Sequence, residues 1–384
     1  MNAPAGRVDG DVAVYRRQFL NRSETFVRDH LVFLDRWRPT ALTSWRQADG
    51  LEVPGVPVVE AREGDVRRKV LDRLPQRIAG THDGRQERRL RSALRRLRPD
   101  VVHAHFGTDA AVVAPVAREL GIPFVITWHG YDATVHDEVL AQSESGRTLL
   151  ARREELLRDA AGTIAVSGPI ARELERHGAT PGSIDVIACG VDTQAVAGTP
   201  PPPDGGLLFV GRLVEKKGLG DLLDALSGLA APPPLTVIGD GPLRARMESR
   251  AQAAGLDVRF LGVRGSDEVR EQMRAAQAVV IPSRRATNGD CEGLPVVSLE
   301  AGACARPVVA YAHSGLVESV LDGTTGLLAQ EGDVAGLATA IEKVSQDADL
   351  REALGRAGRD HVVRSFDIRV TTARIEAVYD RARS

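Results

Sequence analysis

The sequence predicts an α/β protein of two doubly wound parallel sheets, on three observations. Short apolar, β-branched runs alternate with helical patterns almost throughout, as sheets with helices on both faces require. At 384 residues the chain exceeds what one hydrophobic core usually organises, so two domains of similar size follow. A Pro- and Gly-rich break, GVDTQAVAGTPPPPDGG over 190–206, suits neither helix nor central strand, and the alternation restarts after it. The expected division is 1–190, then 191–365, with a last helix over 366–384 beyond the second pattern.

In chain order, strands are expected at 12–19 (VAVYRRQF), 40–44 (TALTS), 101–105 (VVHAH), 124–128 (FVITW), 162–167 (GTIAVS) and 184–188 (IDVIA). Helical spacing fills 24–35, 85–98, 109–120, 148–160 and 169–177 between them. After the break come LLFVGRL (207–213), LTVIGDG (235–241), VRFLGV (258–263), AVVIPS (278–283) and PVVA (307–310). Ligands of such sheets bind beyond the carboxyl ends of the strands. The cleft between the two halves is therefore the expected active site.

Composition narrows the function. With 43% hydrophobic and 27% charged residues and a net charge of −2, the chain reads as soluble and globular, and not as a general nucleic-acid binder. Its four lysines are 69, 216, 217 and 343, so nearly all positive charge is arginine. Cys189, Cys291 and Cys304 are odd in number and far apart, neither a disulfide framework nor a zinc signature. A reducing cytoplasm fits. No basic, then apolar leader opens the chain and no 18-residue apolar run occurs. Export by a standard signal and membrane spanning are not expected.

The most informative stretch runs from Arg284 to Arg306, RRATNGDCEGLPVVSLEAGACAR. Strand AVVIPS leads through a polar loop into Gly293-Leu294-Pro295-Val296, which reads as a helix start. A helix N-terminus is thereby set at the carboxyl end of a parallel sheet, where N–H groups and the helix dipole attract anions. Pro295 is expected in the first turn, where its missing N–H costs nothing. Glu292 and Glu300 stand eight positions apart around this start, one at its mouth and one two turns down. Phosphates would sit on the amides, and sugar hydroxyls would donate to the carboxylates. An ordinary βα unit with a chance glutamate pair fits the same spacing.

Other chemistry also follows strand ends. Gly211 and Arg212 precede Glu215-Lys216-Lys217-Gly218, so Arg212 as a planar fork and Lys217 as a point charge suit a diphosphate. FVITW runs into His129-Gly130-Tyr131-Asp132, where His129 is poised for a sugar hydroxyl or for acid–base chemistry, or simply caps a loop. His103 and His105 share a strand face with Asp109 nearby. No third metal ligand is identifiable at close spacing, so no metal is expected. Asn21 to Phe26 opens a helix, with Ser23 or Thr25 as N-cap and Glu24 in the first turn.

Residues 62–98 carry thirteen basic and five acidic side chains, with leucines at helical spacing. That pattern suits docking on an anionic membrane face, and equally a solvated Arg-rich helix. No GxGxxG follows the first strand, no GxxxxGK[ST] occurs, and no Gly-x-Ser-x-Gly elbow is present. Nicotinamide or flavin enzymes, P-loop enzymes and α/β-hydrolases are thus disfavoured.

This combination resembles the retaining glycosyltransferases of family 4, with two Rossmann-like domains of the GT-B fold facing each other across a cleft. The residues carrying it are Glu292 to Glu300 (E-x7-E), GRLVEKKG at 211–218, GDGP at 239–242, HAHFG at 103–107 and HGYD at 129–132. SETFV at 23–27, ATNGDCEGLP at 286–295 and HSGLVESVLDGTTGLL at 313–328 look like the exopolysaccharide, colanic-acid-type branch. One departure is visible, since Asn-Arg-Ser-Glu-Thr replaces the glycine-rich loop that many relatives carry after the first strand.

The resemblance implies a nucleotide-sugar donor, with UDP as the expected nucleotide, and neither cofactor nor metal, because basic groups and the helix end supply the electrostatics. Glu300 would bind ribose. Glu292 would face the donor sugar beside the backbone of Gly293, Leu294, Pro295 and Val296. Gly211, Arg212 and Lys217 would hold the diphosphate, and His129 would contact the sugar in the transition state. Ser23, Glu24, His105 and Asp132 would lie on the acceptor side, Asp132 orienting its loop. The glutamates are then a binding device and not an acid–base pair. Retention would proceed by front-face attack, the leaving phosphate taking the acceptor's proton, and the last helix would cross back to the first domain. The expected acceptor is lipid-linked or a glycan, at the inner face of the plasma membrane. A small soluble acceptor such as an antibiotic aglycone, a cofactor-free phosphorylase of the same fold and a non-enzymatic binding scaffold are the alternatives.

Overall fold

A computed structural model describes residues 8–21, 24–47, 50–61 and 84–384. It divides into two compact units: one up to Ala165 with Ala171–Ile187 and Thr372–Ser384, the other Val166–Ile170 with Ala188–Thr371. The last helix, Ile368–Arg383, begins in the second unit, and its residues from Thr372 belong to the first.

The first unit holds β1 (Gly10–Phe19), β2 (Trp37–Arg46), β3 (Val58–Glu60), β4 (Val101–His105), β5 (Phe124–Trp128), β6 (Gly162–Ala165) and β7 (Ile184–Val186). They form one parallel sheet in the order β3-β2-β1-β4-β5-β6-β7. All five residues of β4 and of β5 are buried, as strands covered on both faces must be. Val12, Val14, Trp37, Val101, Val125, Ile164, Val378 and Tyr379 build its core. The final helix is tied in by Glu376, whose Oε1 accepts the backbone N–H groups of Asp35, Arg36 and Trp37 at 2.9, 2.7 and 3.1 Å.

The second unit holds β8 (Leu207–Val210), β9 (Leu235–Ile238), β10 (Val258–Gly262), β11 (Ala278–Ile281), β12 (Val308–Tyr311) and β13 (Gly326–Ala329). Again all pairs are parallel, in the order β10-β9-β8-β11-β12-β13. Phe209, Leu222, Leu223, Val237, Val280, Tyr311, Leu337 and Ile341 pack its core.

Each sheet reverses its winding once, between β1 and β4 and between β8 and β11. Such reversals open a crevice at the carboxyl ends of the two central strands. The eleven expected strands are present, β1 and β2 longer than expected, β4 and β5 as expected, β12 shifted by one residue and the others trimmed, and β3 and β13 are additional. Both are three- or four-residue edge strands among turn formers, too short to show a period. Among the described residues no helix is long and apolar enough to cross a membrane.

Candidate functional site

In the second unit the polar side chains converge where the winding reverses. β8 ends at Val210, and Gly211-Arg212 follow it directly. A single 3-10 turn, Glu215–Lys217, then ends at Gly218, whose φ of +67° starts the helix Leu219–Ser227. A Cβ at Gly218 would lie 1.8 Å from the Pro282 carbonyl oxygen, so glycine alone lets this turn press against the end of β11. A Cβ on Gly211 would meet the Lys217 stem at 3.3 Å, and its absence lets the lysine fold back over the strand end.

From β11 the chain enters the loop that carries Glu292. Arg284 N donates to the Lys216 carbonyl (2.8 Å), and Thr287 donates from N and Oγ1 to the Glu215 carboxylate (3.2 and 3.0 Å). Glu331 accepts from Arg285 N at 2.7 Å and meets His313 Nδ1 at 2.7 Å. Lys216 Nζ sits 3.0 Å from Asp290 and 3.5 Å from Glu292 Oε1, while Lys217 Nζ sits 3.1 Å from Glu292 Oε2. Burial alone would raise the Glu292 carboxyl, but Lys217 and Lys216 outweigh it and hold the pKa down to about 2. Glu292 is therefore ionised at any physiological pH. Arg212 is exposed, and its guanidinium has no hydrogen-bond or ion-pair partner among the described residues.

The helix expected after this loop is Val296–Ala303, with Pro295 at its N-cap, one position earlier than its sequence pattern suggests. No side chain caps its first turn. The Gly293 carbonyl accepts from Ser167 Oγ at 2.8 Å and Gly315 N at 3.1 Å, which anchors the backbone beside Glu292. Glu300 lies half-buried on this helix, one turn before Cys304.

His313 is the residue that motif reading passed over. It is buried, yet its Nε2 has no hydrogen-bond partner, and Oε1 of Glu292 is likewise unmatched by a hydrogen bond. The imidazole helps lower the Glu292 pKa, so two buried polar atoms wait in one neighbourhood, a condition that invites a polar ligand. The sequence signal was the HSG tripeptide directly after β12, at a strand end like every other site residue.

In the first unit, β4 and β5 deliver His105 and His129, with His105 Nδ1 2.9 Å from His129 Nε2. Asp132 is fully buried and accepts from the backbone N–H groups of Gly107 (2.7 Å), His129 (3.0 Å) and Gly130 (3.1 Å). Burial outweighs these hydrogen bonds and lifts its pKa to about 6. Phe106, at φ +74°, packs its ring 4.5 Å from His129 and 4.5 Å from the Arg16 guanidinium. A non-glycine residue in this region is strained, and the strain falls where β4 turns into its helix.

Three expectations change here. Ser23 lies outside the described residues. Glu24 does not face outward: it is buried, pairs with Arg16 at 2.5 Å and accepts from Asn21 Nδ2 at 2.8 Å, while Arg16 also pairs with Asp109. A buried arginine draws both carboxylates inward, since a lone buried charge is costly. His105 and Asp132 are buried too, Asp132 on the backbone N–H groups of the His129–Gly130 turn. The third imidazole missing from the strand spacing is His30, on helix Thr25–Phe33, whose ligand atoms lie with those of His103 and His105 within 4.8 Å of one another. Val27, His30 and Leu31 share that helix's buried face at i, i+3, i+4 spacing, the signal that marked His30 as inward.

Comparison with known proteins now identifies the frame. The description Glycosyltransferase Family 4 matches residues 46–195, and Glycosyl transferases group 1 matches 195–361. The 2-deoxystreptamine glucosyltransferase of Streptomyces kanamyceticus is 31% identical over 362 residues, covering 85% of this chain and 92% of that protein. WcaL of Salmonella typhimurium, named for glycosyl transfer in colanic acid biosynthesis, is 32% identical over 281 residues, covering 70% and 67%. The structure of Anabaena Alr3699/HepE with UDP and glucose superposes with a TM-score of 0.75 at 20% identity, covering 97% of this chain and 99% of that one. Two consecutive family matches, relatives above 30% identity and two parallel Rossmann-like units place the chain in glycosyltransferase family 4, as a hexosyltransferase of the GT-B fold.

Proposed function

We propose that this enzyme moves a sugar from a nucleoside-diphosphate sugar, foremost a UDP-sugar, to a hydroxyl of a lipid-linked or polysaccharide acceptor, with retention and without a metal. The observation that carries the reading is the Lys217–Glu292 pair, 3.1 Å apart at the winding reversal of the second sheet. An ionised carboxylate accepts hydrogen bonds from sugar hydroxyls, and the two lysines leave net positive charge for the departing diphosphate. Arg212 adds a fork for a phosphate. Glu300 takes the ribose, and the Gly293–Val296 backbone lies along the sugar. His129, which burial keeps neutral with a pKa near 3, meets the sugar as a hydrogen-bonding group and not as a cation. The leaving phosphate receives the acceptor's proton, so no side-chain nucleophile is required.

UDP is favoured because the superposing HepE structures hold UDP, or UDP-glucose. The polymer acceptor is favoured by the name of WcaL and by the HSG and ATNGDCEGLP segments. Membrane docking would be electrostatic only in the described part of the basic segment. Helix Gly84–Leu97 turns Leu90 and Leu94 into the core and leaves Arg85, Arg88, Arg95 and Arg96 exposed. Residues 62–83 lie outside the described residues.

A second reading, a small soluble acceptor, is favoured by the 2-deoxystreptamine glucosyltransferase, which matches over more of the chain. Transfer from UDP-, GDP-, ADP- and dTDP-sugars, with the anomeric product read by NMR, tests the donor and the stereochemistry. Full activity in Glu292→Ala, Arg212→Ala and Lys217→Ala would sink the reading. Low-salt sedimentation with anionic vesicles separates the acceptors, since the soluble-acceptor enzyme stays in the supernatant.

A further inference from the structure

Beneath His129 lies a buried polar column that the transfer reaction, as described so far, leaves unused. Tyr379 Oη is 3.0 Å from His30 Nε2, His30 Nδ1 is 2.9 Å from His105 Nε2, and His105 Nδ1 is 2.9 Å from His129 Nε2. Tyr379 Oη also lies 2.6 Å from His103 Nδ1, and His103 Nε2 lies 2.8 Å from Thr127 Oγ1. His30, His103, His105, Thr127 and Tyr379 are each at most 4% exposed. Six groups from four segments of the first unit thus make one unbranched chain.

A neutral imidazole has one N–H and one lone pair. Each nitrogen–nitrogen link therefore needs one hydrogen, and choosing its direction fixes the far nitrogen of the next ring. Between rings, one reversed link would set two hydrogens or two lone pairs against each other in a buried site. Burial lowers the pKa of all four histidines, so a second hydrogen on any ring is disfavoured. Three arrangements satisfy every link: two run in opposite senses, and in the third Tyr379 accepts from both His103 and His30.

The hydroxyl hydrogens of Thr127 and Tyr379 choose between them. If its hydroxyl donates to His103 Nε2, then His103 Nδ1–H donates to Tyr379, Tyr379 O–H to His30 Nε2, His30 Nδ1–H to His105 Nε2, and His105 Nδ1–H to His129 Nε2. In the opposite sense Thr127 accepts from His103, and its own buried hydrogen has no acceptor among the described residues; where Tyr379 accepts twice, the buried Tyr379 hydrogen has none. The first sense leaves no hydrogen or lone pair unmet from Thr127 to His105.

We propose that Tyr379, His30 and His105 are positioning residues that hold His129 in the single tautomer with its hydrogen on Nδ1, so that it donates a hydrogen bond to an oxygen of the bound nucleotide sugar. This rests on the reading that His129 meets the donor sugar. A metal in the His30–His103–His105 cluster is the competing use of these rings. All six of their ring nitrogens are already hydrogen-bonded, so an ion would break at least two links of the chain.

The test is a two-bond 1H–15N correlation on the full chain with 15N-histidine at neutral pH, which reads the tautomer of each ring. His129 is expected as one form, hydrogen on Nδ1. Tyr379→Phe, which does not touch His129, should convert it to a mixture and lower kcat on the order of tenfold, about one oriented hydrogen bond, with KM for the nucleotide sugar little changed. Val378→Ala perturbs the same core beside Tyr379 without entering the chain, and should leave both readouts unmoved. Unchanged His129 signals in Tyr379→Phe, equal changes in Val378→Ala, or stoichiometric metal in the purified protein would overturn the proposal. Full activity in His129→Ala would instead remove the sugar-contact reading, while the tautomer measurement still decides the chain.

Discussion

Lys217 Nζ lies 3.1 Å from Oε2 of Glu292, and Lys216 reaches Oε1 of the same carboxylate at 3.5 Å. The two lysines come from a three-residue turn after β8 and the carboxylate from the loop after β11, the two strands at which the sheet reverses. Charge is thus assembled by topology and not by sequence neighbours. Lys217→Ala should lower kcat by about 100- to 1000-fold, the usual cost of losing one preorganised electrostatic contact. Its fold should survive, because Lys216 still neutralises Glu292. Initial-rate measurements beside a circular-dichroism melt check both halves of the statement.

Arg212 offers the cleaner comparison. It is exposed and holds no ion pair among the described residues, so Arg212→Ala should change stability by no more than about 0.5 kcal/mol. Activity should still fall, and Arg212→Lys should recover only part of it, since a point charge cannot replace a planar fork. Wild-type activity in Arg212→Ala would remove the residue from the site.

Glycine geometry makes a separate prediction. Gly239 has φ +133°, and a Cβ there would stand 1.9 Å from the Gly211 carbonyl oxygen. Gly255 has φ +65° but open space around the added carbon. Gly255→Ala should cost about 1–2 kcal/mol from backbone strain alone. Gly239→Ala adds a backbone clash, so it should lower Tm by clearly more and disturb Arg212 through Gly211. Equal melting temperatures for the two variants would mean that β8 and β9 yield more easily than their packing suggests.

The second half-site was largely legible from sequence because its residues follow strand ends at fixed short spacings. Glu292, Lys217 and Arg212 each lie within a few residues of an apolar run, and the parallel-sheet rule converts that into position. What stayed hidden was pairing across the fold. Nothing in the spacing of Tyr379, 276 residues from His103, ties the last helix to β4. Glu24 reads as a first-turn residue because the Arg16 that draws it inward lies eight residues earlier, in β1. β3 and β13 escaped notice because three or four residues cannot display a period.

The histidine column also predicts how the first unit fails in acid. His30 and His129 titrate near 3 in the folded chain, with burial the leading cause, and His103 and His105 are lowered as well. A group depressed from its ordinary value of 6.5 contributes stability that is present above pH 6.5 and lost as pH falls. Asp132 works oppositely. Its pKa is raised to about 6, so its contribution is present below 3.8 and lost as pH rises through 6, and Asp109 is raised as well. Near pH 5 His30 and His129 take up about two protons on unfolding, against about one released by Asp132, while His103 and His105 add to the uptake and Asp109 to the release. Each net proton corresponds to about 1.4 kcal/mol lost per pH unit. Urea titrations between pH 6.5 and 5 measure that slope directly. His129→Gln removes one proton from the balance and should flatten it by about 1.4 kcal/mol per pH unit. Glu292 adds nothing in this range, because its window runs from 4.5 down to about 2. A slope unchanged by His129→Gln would mean that this imidazole titrates alike in the folded and unfolded chains, and that the column is open to water.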